Sequence, residues 1–139
     1  MLEITRQADY AVRAVRDVAR LPEGERLPTA VIAERRKIPL PFLAKIVSQL
    51  AVKGILEATR GASGGVSLAR PAASITLLEV IEAIDGPVTI NRCTRDPNAC
   101  EFSEDCPVHE VLVESQRMLV EQLGSITFAD LVRREEARG

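Results

Sequence analysis

Between Lys53 and Arg70 the hydrophobic pattern of this chain changes period, and that change limits the possible folds more than any other feature. Before it, apolar residues recur with helical spacing. Ala11, Ala14, Val15, Val18 and Ala19 mark one face of a helix over residues 8–20. "LPEGERLP" breaks that helix. Thr29 is a suitable N-cap for a short helix running to about Arg36, with Ala30, Ile32 and Ala33 as its apolar positions. "KIPLP" is the next break, because Pro39 and Pro41 disfavour a continuing helix but suit the first turn of a new one. Leu43, Ile46, Val47 and Leu50 then line a helix reaching Lys53, and Gly54 closes it. Beyond it, "ILEAT" and "VSLAR" read as short strands joined by the glycine-rich turn "RGASGG".

Two short helices joined by a tight break and followed by a hairpin form the order of a winged helix-turn-helix. The expected fold is therefore mainly α with a small β-hairpin. In such a unit the second helix enters the major groove, and the hairpin lies over the phosphates or the minor groove. Charge agrees with this placement. Residues 1–70 carry 12 Lys/Arg against 7 Asp/Glu, a net +5, whereas residues 71–139 carry 6 against 13, a net −7. A polyanion is thus expected to meet the first region, 1–70, and not the second, 71–139. Near the start of the second helix, side chains should face base edges. Lys45 suits a phosphate or guanine, and Gln49 an adenine. Arg35, Arg36 and Lys37 are expected to face the DNA backbone, and Arg60 on its glycine turn a narrow minor groove. Thr29, Pro41, Phe42 and Ser63 complete the candidate DNA-binding set.

The acidic region is helical. Ser74 or Thr76 can cap a helix bearing Leu77, Val80, Ile81 and Ile84, which "DGP" ends. A longer helix starts at Pro107, with Val108, Val111, Leu112, Ser115, Met118, Leu119, Gln122, Leu123 and Ile126 on one stripe. A stripe that long exceeds what a small winged-helix domain needs to cover, so a homodimer through this helix is expected. "TFADLVRREEA" reads as a final short helix that folds back. Hydrophobic residues make up 46% of the chain with no Trp, so the core must be aliphatic. No apolar run approaches the ~18 residues that cross a bilayer. Charges in "MLEITRQADY" occupy the place of a signal peptide's apolar segment, so a cytoplasmic location is expected.

All 3 cysteines and the one histidine fall within "CTRDPNACEFSEDCPVHE", residues 93–110. An odd number of thiols in a reducing compartment argues against a disulfide framework and towards metal binding or redox chemistry. The spacing of Cys93, Cys100, Cys106 and His109 lacks the tight cysteine knuckle usual in structural zinc sites. A longer, flexible loop of thiolates can instead wrap an iron–sulphur cluster. Cys106 and His109 stand three apart at a helix start, where the dipole favours a thiolate. A zinc- or thiol-based redox regulator with the same DNA-binding region is the alternative. Catalysis by Cys106 as nucleophile and His109 as base lacks a third orienting group or an oxyanion donor, so no enzymatic activity is expected.

The order of winged helix, "RGASGG" turn, "SITLLEVIEAIDG" helix, three-cysteine loop and long helix, ending in "ITFADLV", resembles the Rrf2 family of bacterial transcription regulators over nearly the whole chain. The resemblance implies a homodimer on a palindromic operator, with a cluster in the loop at 92–109 that reports redox state, nitric oxide or iron–sulphur status. It also implies two routes to a fourth ligand. Some members use a histidine three residues after the third cysteine, here His109, with a [2Fe-2S] centre. Others use an aspartate early in the first helix of the partner subunit, here Asp9, with a [4Fe-4S] centre. His109 is preferred on local geometry. One departure from the family pattern bears on the operator: Pro39 and Pro41 stand where hydroxyl or other polar residues are expected.

Overall fold

The computed structural model describes residues 3–61 and 64–139. The first helix, α1 (Arg6–Ala19), is capped by the Thr5 hydroxyl, which accepts a hydrogen bond from the Ala8 N–H at 3.1 Å. Its apolar stripe of Ala8, Ala11, Ala14, Val15 and Val18 is fully or almost fully buried. The small side chains let neighbouring helices approach closely, and α1 becomes the axis against which both halves of the chain pack.

Helices α2 (Thr29–Arg36) and α3 (Leu40–Val52) follow, joined by a turn in which Lys37 adopts the left-handed conformation at φ 55°. Pro28, not Thr29, occupies the N-cap of α2, and no side chain caps it. Thr29 is thereby drawn one place into the helix, because Leu27 is held by backbone hydrogen bonds to Val66 (3.0 and 2.8 Å) and fixes where the chain turns. Pro41 lies in the first turn of α3, as its fixed φ favours. Leu43, Ile46, Val47 and Leu50 bury the inner face of that helix. Gly54, at φ +75°, follows its end.

Strands β1 (Leu56–Thr59) and β2 (Gly65–Leu68) pair antiparallel, with Leu56 opposite Leu68 and Thr59 opposite Gly65. Gly65 is required sterically: a Cβ there would stand 2.9 Å from the Leu27 carbonyl, where the segment before α2 crosses the hairpin. This helix-turn-helix and hairpin are mainly helical with one small sheet, the winged-helix architecture expected.

A 3-10 turn (Ala72–Ser74) leads to α4 (Leu77–Asp85), capped by Thr76, whose hydroxyl accepts from the Glu79 N–H at 3.1 Å. The "SIT" before α4 pairs with the "SIT" before the last helix, α7 (Phe128–Ala137). Leu77 N–H donates to Ile126 O at 2.8 Å, and Phe128 N–H donates to Ile75 O at 2.9 Å. Ile75, Val80 and Phe128 join Ala11, Ile46 and Leu50 in one hydrophobic core. The core is therefore continuous across residue 70, where the charge of the chain changes sign. Arg16 and Arg20 of α1 hold Glu135 of α7 at 2.8 and 3.2 Å, so the last helix does fold back. No helix among the described residues is long and apolar enough to cross a membrane.

Between α4 and the long helix α6 (Pro107–Ser125), the cysteine segment is more ordered than a loop. It is built from the short helix α5 (Arg92–Arg95) and two 3-10 turns, Pro97–Ala99 and Ser103–Asp105. Asp96 starts the first 3-10 turn by accepting from the Asn98 N–H at 3.0 Å. The Asp, Asn and Ser residues that made the segment read as flexible are the local caps and turn formers that order it.

Candidate metal centre and nucleic-acid interface

Each cysteine sits in or directly after one of these short turns. Cys93 lies in α5, Cys100 follows the first 3-10 turn, and Cys106 follows the second as the N-cap of α6. All three are free thiols, Cys93 buried and the others half-buried. With His109 in the first turn of α6, they line one cavity of about 380 Å³ that opens to solvent, alongside Asn91, Ser103 and Leu112. The Asn91 amide donates to Cys93 Sγ at 3.5 Å, and the Ser103 hydroxyl donates to the Cys100 carbonyl at 3.0 Å.

The chemistry of this donor set suits an iron–sulphur group. His109 Nδ1 is buried and has no hydrogen-bond partner within the chain, a state that proteins generally avoid. Among the described residues no three His, Cys, Asp or Glu side chains converge as a single bare ion would require. Asp9 does not line this cavity. It stands on the first turn of α1, paired with Arg13 at 2.8 Å, in a separate groove beside Thr5 and Arg6. Within one chain, then, His109 joins the cysteines and Asp9 does not.

Two contacts tie the cavity to its surroundings, and sequence reading missed both. Gln116 on α6 accepts the Ile90 N–H at 3.1 Å. Asp85, at the end of α4, accepts the Thr5 N–H at 3.1 Å and also the Thr5 hydroxyl, fastening the start of α1 to the segment that leads into the cysteines. Neither carries a motif, because each partner is brought in by the fold from far along the chain.

In the helix-turn-helix, Pro41, Phe42, Lys45 and Gln49 are exposed along α3, and Arg35 and Lys37 are exposed at the end of α2. Arg60 is exposed at the hairpin tip; Ser63 lies outside the described residues. Thr29 is half-buried. Arg36 is committed elsewhere. Its Nε donates to Asp17 Oδ2 at 2.8 Å and its Nη2 to Asp17 Oδ1, so its guanidinium faces α1. That hydrogen bonding, with the attraction of the carboxylate, raises the Arg36 pKa above its ordinary value against the opposing effect of burial.

The stripe expected along α6 resolves into two. Leu112, Gln116, Val120 and Leu123 are half-buried, facing the rest of the chain, while Val108 and Val111 are each 63% exposed and Met118 is 59% exposed. Ser115 and Gln122 continue the exposed row, and Leu119 borders it at 40%.

The family model described as "Rrf2: Iron-dependent Transcriptional regulator" matches residues 4–134. The chain is 34% identical over 135 residues to the HTH-type transcriptional regulator IscR of Escherichia coli O1:K1, covering 97% of this chain and 83% of that protein. The solved structure of T. potens IscR superimposes with a TM-score of 0.80 at 25% identity, covering 99% of this chain and 92% of that one. CymR, described as the global cysteine regulator of B. subtilis, shares the fold, with a TM-score of 0.78 at 23% identity over 96% of this chain and 98% of its own.

Proposed function

The chain belongs to the Rrf2 family of DNA-binding transcription regulators, and on that footing we propose that it senses through an iron–sulphur cluster held by Cys93, Cys100, Cys106 and His109. The observation that carries this reading is the gathering of the three thiols around one cavity with a histidine whose buried Nδ1 has no partner. When bound, such a cluster supplies a centre that changes charge or is lost on oxidation or nitrosylation.

The residues around it have definite roles. Asn91, donating to Cys93 Sγ, orients that sulphur towards the cavity. The start of α6, capped by Cys106, adds the positive end of its dipole. Gln116 and Asp85 link the cavity to α6 and to the first turn of α1. The exposed row of Val108, Val111 and Met118 serves as a symmetric dimer interface, placing two copies of α3 on the half-sites of a palindromic operator. Half-sites read from one face of the duplex lie about 34 Å apart, so a small shift at α6 changes whether both recognition helices fit.

Anaerobic purification with iron, sulphide and zinc assays and visible spectroscopy tests the proposal. Stoichiometric iron and sulphide with visible absorption is the expected result, lost on replacing any one of the three cysteines by Ala while helical circular dichroism is retained. Bound zinc without sulphide, or full cluster occupancy in all three variants, overturns it.

A further inference from the structure

The start of α3 presents an apolar side chain to water where a DNA-reading helix has its first chance to touch a base. Phe42 is 56% exposed. It is not a core residue left unplaced, since Leu43, Ile46, Val47 and Leu50 already fill the inner face of the helix. An aromatic ring held in water carries a hydration cost that burial elsewhere would relieve. Leu40 and Val52 are also exposed on α3, but the neighbours of Phe42 on its own side of the helix include the polar Lys45 and Gln49. Successive helical residues turn by about 100°, which puts Phe42, Lys45 and Gln49 within about 60° of one another on one side. Lys45 is the only charged residue in α3, and no carboxylate in the helix would repel a phosphate backbone.

We propose that Phe42 selects operators with thymine at the base step it touches, packing its ring against the thymine C5-methyl group in the major groove. The inference rests on the placement of α3 in that groove. The chemistry permits only one favourable base edge. Guanine, adenine and cytosine present hydrogen-bonding atoms there, and a phenyl ring covering them would remove water without replacing its bonds. Thymine alone offers a methyl group. Phe42 is the third residue of the helix, within the N-terminal portion that such helices direct at base edges. Gln49, two turns on and on the same side, is suited to adenine, so the two residues together favour an A·T-bearing half-site.

The test begins by selecting binding sites for the full-length protein from a randomised DNA duplex library. Each thymine of the selected site is then replaced singly by deoxyuridine, which removes the methyl group and nothing else. Affinity should fall about fourfold at the contacted thymine. Phe42→Ala should bind the thymine and deoxyuridine duplexes equally, with unchanged circular dichroism and salt dependence, and Phe42→Leu should keep part of the preference. Equal binding of both duplexes by the unaltered protein, or a preference that survives in Phe42→Ala, overturns the proposal. A selection that enriches no sequence overturns the placement of α3 itself, and the role of Phe42 with it.

Discussion

Asp17 on α1 and Arg36 on α2 form a two-point ion pair in which the carboxylate side chain is only 3% exposed and the guanidinium 25%. The pair fixes the first helix of the helix-turn-helix on the central helix, and through the Lys37 turn it sets the height of α3. The Arg36 guanidinium is thereby turned towards α1. Replacing it by Ala strands a buried carboxylate, at a cost of about 3 kcal/mol, the low end for broken buried pairs because Arg36 keeps some solvent. Lys should not restore it, having no planar fork to match both oxygens. Denaturant unfolding should show this loss in Arg36→Ala and a much smaller one in Arg35→Ala. Equal stability of the two variants would remove the structural role.

The exposed row on α6 carries the prediction on assembly. Met118→Glu places a charge in the exposed row that runs from Val108 through Val111 and Ser115 to Gln122. Sedimentation should show a dimer for the unaltered protein and a monomer for Met118→Glu, with operator affinity reduced at least tenfold because each half-site then binds alone. A monomeric unaltered protein would require another partner for this helix.

Acid should loosen α7 first. Asp130 accepts from the Thr127 N–H at 2.9 Å, and hydrogen bonding to its carboxyl from the Thr127 backbone, then from the Thr127 side chain, holds that carboxyl below its usual range, with Arg133 and Arg134 adding attraction. A depressed carboxylate pKa contributes stability above the unfolded value, and that stability disappears as pH falls through the folded one. The contribution should be intact at neutral pH and lost in strong acid. Asp130→Asn should flatten the acid limb of the stability profile, measured by thermal unfolding at several pH values.

Much of this was legible in the sequence because its signals are local. The proline break before α3, the glycines of the hairpin and the spacing on α4 each act within a few residues. What escaped were partnerships across distance. Arg36 looks like any basic residue at a helix end until Asp17, 19 residues earlier, is found beneath it. The α6 stripe read as one face because apolarity does not reveal which side a neighbour covers, and the packing of α4 and α5 separates Leu112 and Leu123 from Val111 and Met118. The cysteine segment read as loose because caps for very short turns resemble loop composition.

The fourth ligand can be decided with two variants. His109 shares the cavity with the thiols and Asp9 does not, although a carboxylate from a partner subunit could still arrive. In anaerobic protein, His109→Ala should change the visible spectrum and hasten decay in air, while Asp9→Ala should leave both as they were. The reverse pattern assigns the ligand to Asp9 and favours a [4Fe-4S] centre over a [2Fe-2S] one.

For the proposed cluster, Gln116 offers a test that separates holding it from reporting it. Its side-chain carbonyl accepts the Ile90 N–H at 3.1 Å, three residues before Cys93, so it joins α6 to the entrance of the cysteine segment without lining the cavity. Regulation is a coupling free energy between the cluster site and the DNA face, commonly about 1–3 kcal/mol. One neutral hydrogen bond contributes about 1 kcal/mol. Gln116→Ala should therefore keep iron content and spectrum but reduce the ratio of operator affinities between cluster-loaded and cluster-free protein by about fivefold. Gln116→Glu, which keeps an acceptor at the same reach, should restore most of that ratio. Loss of the chromophore in Gln116→Ala would make the residue a support of the site itself. An unchanged affinity ratio would mean that the signal leaves by the Thr5–Asp85 link instead, and Asp85→Ala should then abolish the response while the cluster remains.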